Sequence, residues 1–224
     1  MDRVLDRHDT GGQLGATLRR MSFHRPLVLA LPRGGVPVAF EVAAALDAPL
    51  DVFVSRKIGA PGHPEYGIGA LAEGNTVVYD PRALTSLRIS QARFETMVSA
   101  ERTEADRRVA LYRHGRELPH LDDRDVILVD DGLATGVTAE AALRALRDRN
   151  PRRLVLAVPA CAADTAVRLR SVADEVVSLI AAHDFSAVGR WYVDFDQTND
   201  DEVLRPLEQA RHRPDLADQK SPLC

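Results

Sequence analysis

The tightest constraint on the fold is a set of short, nearly unbroken apolar runs. They are LVLAL (27–31), DVFV (51–54), TVVY (76–79), VILV (126–129), LVLAV (154–158) and VVSLI (176–180). They are rich in β-branched residues and do not alternate with polar ones, the pattern of strands covered on both faces. Helical periods lie between several of them. Val36, Ala39, Val42, Ala43 and Leu46 share one face after the first run. Ala139, Ala142, Leu143 and Leu146 share one after the fourth, with Arg144, Arg147 and Asp148 turned outward. After the fifth, Asp164 is placed to cap a helix carrying Val167 and Val172. Strand, turn and helix in repetition predict an α/β fold built on a mainly parallel, twisted sheet flanked by helices.

Two regions break the rhythm. GAPGHPEYGIGALAEGN (59–75) predicts a loop and then a β-hairpin within 59–80, with Gly74 and Asn75 near its turn. Residues 88–117 are helix-forming but highly charged, with a thin apolar stripe of Phe94, Met97, Val98, Ala105, Val109 and Tyr112. That composition predicts a solvent-facing helical insertion suited to act as a lid. The expected organisation is one domain over 1–208. It contains a hairpin and helical lid insertion (59–120), a hood segment (181–205) and a flexible tail from 209 to 224.

Bulk properties exclude several function classes. The net charge of −4, with acids and bases interspersed along 224 residues, argues against a chain built to grip nucleic acid. Cys161 and Cys224 are far apart in sequence, which argues against a disulfide framework and suits a reducing cytoplasm. Residues 1–20 are charged and lack the apolar stretch of a signal peptide. No apolar run approaches the roughly 20 residues that span a bilayer. The expectation is a cytoplasmic chain with small-molecule partners and no membrane partner.

The segment VILVDDGLATGVT (126–138) carries the chemistry. A buried run ends on Asp130 and Asp131, whose charges repel, at the strand edge where open α/β sheets bind ligands. Gly132 and Gly136 permit a sharp turn, and the loop amides with Thr135 and Thr138 form an anion site before the next helix. Carboxylates suit vicinal hydroxyls, or a divalent cation through water, and the amide nest suits phosphate. A ribose 5-phosphate has both. Rival motifs fit less well. Gly136 is followed by Val137-Thr138 rather than the Lys-Ser/Thr of a Walker loop, and no G-x-G-x-x-G occurs at either turn.

This segment resembles the phosphoribosyl pyrophosphate (PRPP) motif of type I phosphoribosyltransferases, whose Rossmann-like core agrees with the fold read above. The resemblance implies that Asp130 and Asp131 hold the ribose hydroxyls, and magnesium through those hydroxyls or water. It further implies that Ala134, Thr135, Gly136, Val137 and Thr138 hold the 5-phosphate. LPRGGVPVA (31–39) resembles the family's pyrophosphate loop, which implies roles for Arg33, Gly34, Gly35 and Val36. SRKIG (55–59), read as the end of the second strand, supplies Arg56 and Lys57 where the family places a basic residue near pyrophosphate. PRGGVP, RKIGAPGHPE and WYVDFDQ extend the likeness to a little-characterised subgroup over most of 15–205.

The resemblance implies a magnesium-dependent transferase of nucleotide metabolism, with a homodimer as a family trait. It moves a phosphoribosyl group from PRPP to a nucleobase-like acceptor, with Asp130, Asp131 and Lys57 at the reacting centre. The alternative is a PRPP-binding regulator without turnover. The hood concentrates Phe185, Trp191, Tyr192 and Phe195 in a chain with only 5 % aromatics, so stacking on an acceptor is one use for them and core packing the other. Glu65, Glu73, His63 and His183 are further candidates, but each more often serves a plain surface role. Ala134 stands where family members acting on 6-oxopurines carry aspartate, which argues against a hypoxanthine-guanine acceptor.

Overall fold

The computed structural model describes residues 5–211, apart from Ser186 and the side chain of Glu65. Five strands form a parallel sheet in the order β2-β1-β6-β7-β8: β1 (Leu27–Ala30), β2 (Leu50–Val52), β6 (Asp125–Val129), β7 (Arg153–Ala162) and β8 (Glu175–Ala182). A separate antiparallel sheet is made of β3 (Ser55–Ala60), β4 (His63–Ala72) and β5 (Val77–Tyr79). Successive residues of the central strands feed two cores. Val28, Ala30, Ile127 and Val129 face one cluster, and Leu27, Leu29, Val126 and Leu128 face the other. Burial on both faces explains why these strands read as continuous apolar runs. The first core is covered by α1 (Arg7–Leu18), α2 (Gly35–Leu46), α4 (Gln91–Arg113) and α7 (Asp200–Arg211), the second by α5 (Val137–Arg147) and α6 (Ala163–Leu169). The short α3 (Pro81–Ser86) follows β5 and is capped by Asp80.

Three expectations need correction. TVVY forms β5 of the small sheet, as the expected hairpin requires, but is half-buried to exposed instead of covered on both faces. The stretch 51–57 is two strands in different sheets, because the Val54 amide bonds to Glu73 Oε2 at 3.1 Å instead of to a sheet neighbour. Arg56 and Lys57 therefore lie in β3 and do not end β2. Asp164 lies in the first turn of α6 without capping it, and Val167 is 64 % exposed; Thr165, Ala166 and Leu169 are the buried face. The hairpin turn at Gly74-Asn75 is present, both residues having positive φ. Residues 209–211 belong to α7, and the rest of the expected tail, 212–224, lies outside the described residues.

The charged helix α4 is tied down. Phe94, Val98, Ala105 and Tyr112 are buried, Glu101 pairs with Arg56, and Tyr112 Oη donates to Asp200 at 2.6 Å. Arg113 bonds to Glu73 at 2.9 Å and lies 3.5 Å from Asp51, all three side chains being at most 8 % exposed. Any lid motion of 88–117 would have to break these bonds. Burial pushes the Glu73 carboxyl upward against the pull of Arg113, so this carboxylate serves the fold. Replacing Arg113 with Met strands two buried acids and should lower the unfolding free energy by about 3–5 kcal/mol in urea denaturation. Adding Asp51→Asn and Glu73→Gln should recover part of that loss.

Candidate active site

Strand register gathers the site. Ala30 lies beside Val129 and Val52, and Val129 beside Ala157, so the loops leaving β1, β2 and β6 emerge at one sheet edge. After β1, Leu31 N donates to Val129 O at 2.8 Å, and the peptide between Pro32 and Arg33 is cis. Gly35 N and Val36 N bond to Leu31 O and Arg33 O and brace the turn. A side chain at Gly34 would meet Asp131 Oδ2 at 2.0 Å, and one at Gly35 would meet Val129 O at 2.7 Å. Backbone of the neighbouring strand thus bars a side chain at Gly35, and one at Gly34 would displace the Asp131 carboxylate. Arg33 leans toward Asp200 at the start of α7, 3.8 Å away.

The acid pair is crowded. Asp131 N donates to Asp130 Oδ1 at 2.9 Å, and Tyr192 Oη donates to the Asp131 carbonyl at 2.6 Å. Arg7, from the N-terminal helix, donates through Nε to Asp131 Oδ2 at 2.9 Å. Burial, and then the neighbouring Asp131 charge, push the Asp130 carboxyl well above the ordinary aspartate range. Burial raises Asp131 too, opposed by the Arg7 guanidinium. Neither acid is fully enclosed; the Asp131 side chain is 14 % exposed.

The next loop is bolted from behind. Leu133 N bonds to Ala160 O, Thr165 Oγ1 donates to Ala134 O at 2.7 Å, and Arg168 donates to Thr135 O. Gly136 takes a left-handed conformation (φ 66°) and caps α5 without a side-chain bond. By contrast, Asp6, Asp80 and Ser90 accept from the first turns of α1, α3 and α4. The first amides of α5 therefore remain available to an anion. Thr135 is exposed, and Thr138 O accepts from Ser55 Oγ at 3.0 Å, fastening the small sheet to the loop.

Strand alternation separates the basic pair. Arg56 turns to α4, its Nε 2.8 Å from Glu101. Lys57 shares the face of Ser55, and its stem lies with Val137 around Gly67, beside the loop that starts α5. In the hood, Phe185 stacks on Trp191 with ring centroids 5.4 Å apart and planes 9° from parallel. Tyr192 is 1 % exposed, so its ring has no free face for an acceptor and acts as a post under Asp131. His63 and His183 are exposed.

The sequence pattern of the phosphoribosyl transferase domain matches residues 13–196. Over 208 residues, 93 % of this chain, the sequence is 43 % identical to Rv0571c of Mycobacterium tuberculosis H37Rv, whose name assigns it provisionally as a phosphoribosyl transferase. The chain belongs to the phosphoribosyl transferase family. It spans about half the length of the curated relatives it matches, 47 % of Rv0571c. TT1426 from Thermus thermophilus has a crystal structure that aligns with a TM-score of 0.76 at 42 % identity, covering 92 % of this chain and 98 % of that one. The parallel sheet flanked by helices is the fold expected for this family, and the small antiparallel sheet is an insertion in it. No helix among the described residues is long and apolar enough to cross a membrane.

A phosphoribosyl transferase chain with this acid pair is predicted to trade stability for its site. The folded state raises the Asp130 pKa above the unfolded value, so stability present at low pH is lost as pH rises through the folded pKa. Asp130→Asn should therefore raise the Tm at pH 7 by about 2–4 °C, the shift that about 1 kcal/mol gives in a domain of this size. The gain should shrink on acidification, in thermal scans of both proteins from neutral pH down to about pH 4.

Proposed function

We propose that the chain transfers the 5-phosphoribosyl group of PRPP to a nitrogen of a flat heterocyclic acceptor and releases pyrophosphate. Beyond family membership, one observation carries the reading: the glycine loop and the acid pair approach so closely that a side chain at Gly35 would strike the Val129 carbonyl and one at Gly34 the Asp131 carboxylate. Backbone donors and carboxylates at that spacing suit a ligand with oxyanions and hydroxyls on neighbouring atoms. In this reading Asp130 and Asp131 accept from the ribose hydroxyls, and residues 134–138 with the uncapped start of α5 hold the 5-phosphate. Arg33, Lys57 and the amides of Arg33 and Gly34 face the pyrophosphate. Half-buried Phe185 borders the acceptor and is backed by Trp191, which is itself buried and offers no free face. Arg56 is left out, since Glu101 holds it on the opposite side of β3.

As the acceptor nitrogen bonds to C1 and the bond to pyrophosphate breaks, positive charge develops at C1 and the ring oxygen. Carboxylate charge beside the ribose, favoured on Asp131 by the Arg7 guanidinium, would stabilise it, more strongly than in water because the site is partly desolvated. Magnesium, when bound, supplies charge neutralisation on the leaving pyrophosphate. The donor set fits an ion that arrives with the substrate. Asp130 and Asp131 are the acids at hand, Asp131 is engaged by Arg7, and among the described residues no three His, Cys, Asp or Glu side chains form a cage. Asp130 would hold the ion through water or the ribose hydroxyls.

The decisive experiment incubates the protein with labelled PRPP, magnesium and mixed nucleobases and follows products by mass spectrometry. Nucleotide and pyrophosphate in equal amounts are expected. Binding of PRPP without product would assign the chain as a PRPP-binding regulator instead. Replacing both acids with Asn should weaken PRPP binding by about 2–4 kcal/mol, read by calorimetry.

A further inference from the structure

One side chain joins the N-terminal helix to two parts of the site. Arg7, the first residue of α1, donates through Nε to Asp131 Oδ2 at 2.9 Å, and a terminal nitrogen lies 2.8 Å from the same oxygen. The other terminal nitrogen donates to Asp196 O at 2.8 Å. The guanidinium lies 4.0 Å from the centre of the Phe195 ring and 5.8 Å from that of Tyr192. All three nitrogen groups of the fork are engaged, and the side chain is 12 % exposed. A planar, permanently charged fork held on three sides has one available geometry.

The position of Arg7 is set by the element that carries the glycine loop. Helix α1 lies against α2 through Gly11 and Gly15; a side chain at Gly11 would meet Glu41 Cβ at 2.8 Å and one at Gly15 would meet Ala45 Cβ at 2.7 Å. Since α2 starts at Gly35, the glycine loop and Arg7 are carried by two helices in close contact. Asp131 Oδ2 is enclosed between Arg7 and Gly34.

We propose that Arg7 is a positioning residue that couples the ribose-binding acid to the acceptor hood: it fixes the Asp131 carboxylate against Gly34 and ties it to Phe195 and Asp196, so that gripping the sugar and ordering the acceptor pocket are one event. The proposal rests on the phosphoribosyl reading of the site. A parallel link runs through Tyr192, whose hydroxyl holds the Asp131 carbonyl and whose neighbour Trp191 stacks on Phe185. Trp191 is the one tryptophan of the chain, so its emission reports on the hood alone.

The test compares the unmodified protein with Arg7→Met and Arg7→Lys, measuring PRPP affinity with magnesium by calorimetry and Trp191 emission at saturating PRPP. In the unmodified protein PRPP is expected to bind and to change the emission. Arg7→Met should bind about 10-fold more weakly or worse, with the emission change cut to less than half at saturation. Arg7→Lys should regain part of the affinity and little of the emission change, because an ammonium cannot span both partners. Phe195→Leu covers the case in which Arg7→Met does not fold. It removes the ring and keeps the ion pair, so affinity should stay within about 3-fold while the emission change is halved. Equal or tighter binding by Arg7→Met overturns the proposal, tighter binding showing that the guanidinium competes with the sugar. So does PRPP binding to the unmodified protein without an emission change, or a full emission change in Phe195→Leu. No PRPP binding by the unmodified protein is a different result, which removes the phosphoribosyl reading and this proposal together.

Discussion

The close approach of Gly34 to the Asp131 carboxylate organises the molecule. Two neighbouring parallel strands end side by side, and the loops that leave them meet at a distance that only a hydrogen atom on Cα allows. Helix α2 takes its direction from that contact, α1 takes its place from α2, and Arg7 reaches the acid from α1. The second loop continues past Asp131 through Gly132, packed under Val188, to the left-handed Gly136 where α5 starts. Helices α2 and α5, which follow β1 and β6, each start on a glycine with no capping side chain, so their first amides keep the partial positive charge of a helix start.

Such an arrangement carries an electrostatic cost. Asp130 and Asp131 share a partly dry site, and burial raises both carboxyls. The surrounding bonds are those expected of a strained polar cluster: a guanidinium on one oxygen, a tyrosine on the backbone carbonyl, an amide on the neighbouring carboxylate. A second buried cluster, Arg113 with Asp51 and Glu73, differs in kind. It ties helix α4, strand β2 and the small sheet together away from the acid pair. The first group stays partly exposed at the sheet edge, the second is closed inside the fold.

Local signals were readable where the chemistry is local. The 126–138 segment holds strand, acids, turn and helix start within 13 residues, and each piece has a backbone reason that a sequence displays. The PRGG turn is similar. The signal failed where a contact is long-range or made by backbone. Helix α1 packs through Gly11 and Gly15, which leave almost no apolar period to detect. Arg7 and Asp131 are 124 residues apart. Tyr192 looked like a platform for stacking because its composition is the same whether its ring is free or buried. Arg56 and Lys57 looked like a pair, yet neighbours on a strand point to opposite sides, and only the partner Glu101 shows which side faces the loop.

The amino-acid sequence by itself determined the class of fold and marked the 126–138 strand edge as one of the phosphoribosyl transferase family. Those properties follow from hydrophobic period, glycine conformation and charge within short windows. Tertiary structure decided the split of 51–57 between two sheets, the anchoring of α4, the burial of Tyr192 and the place of Arg7. Each depends on which distant groups satisfy a buried amide, carboxylate or hydroxyl, and that pairing is set by the packing of the whole chain.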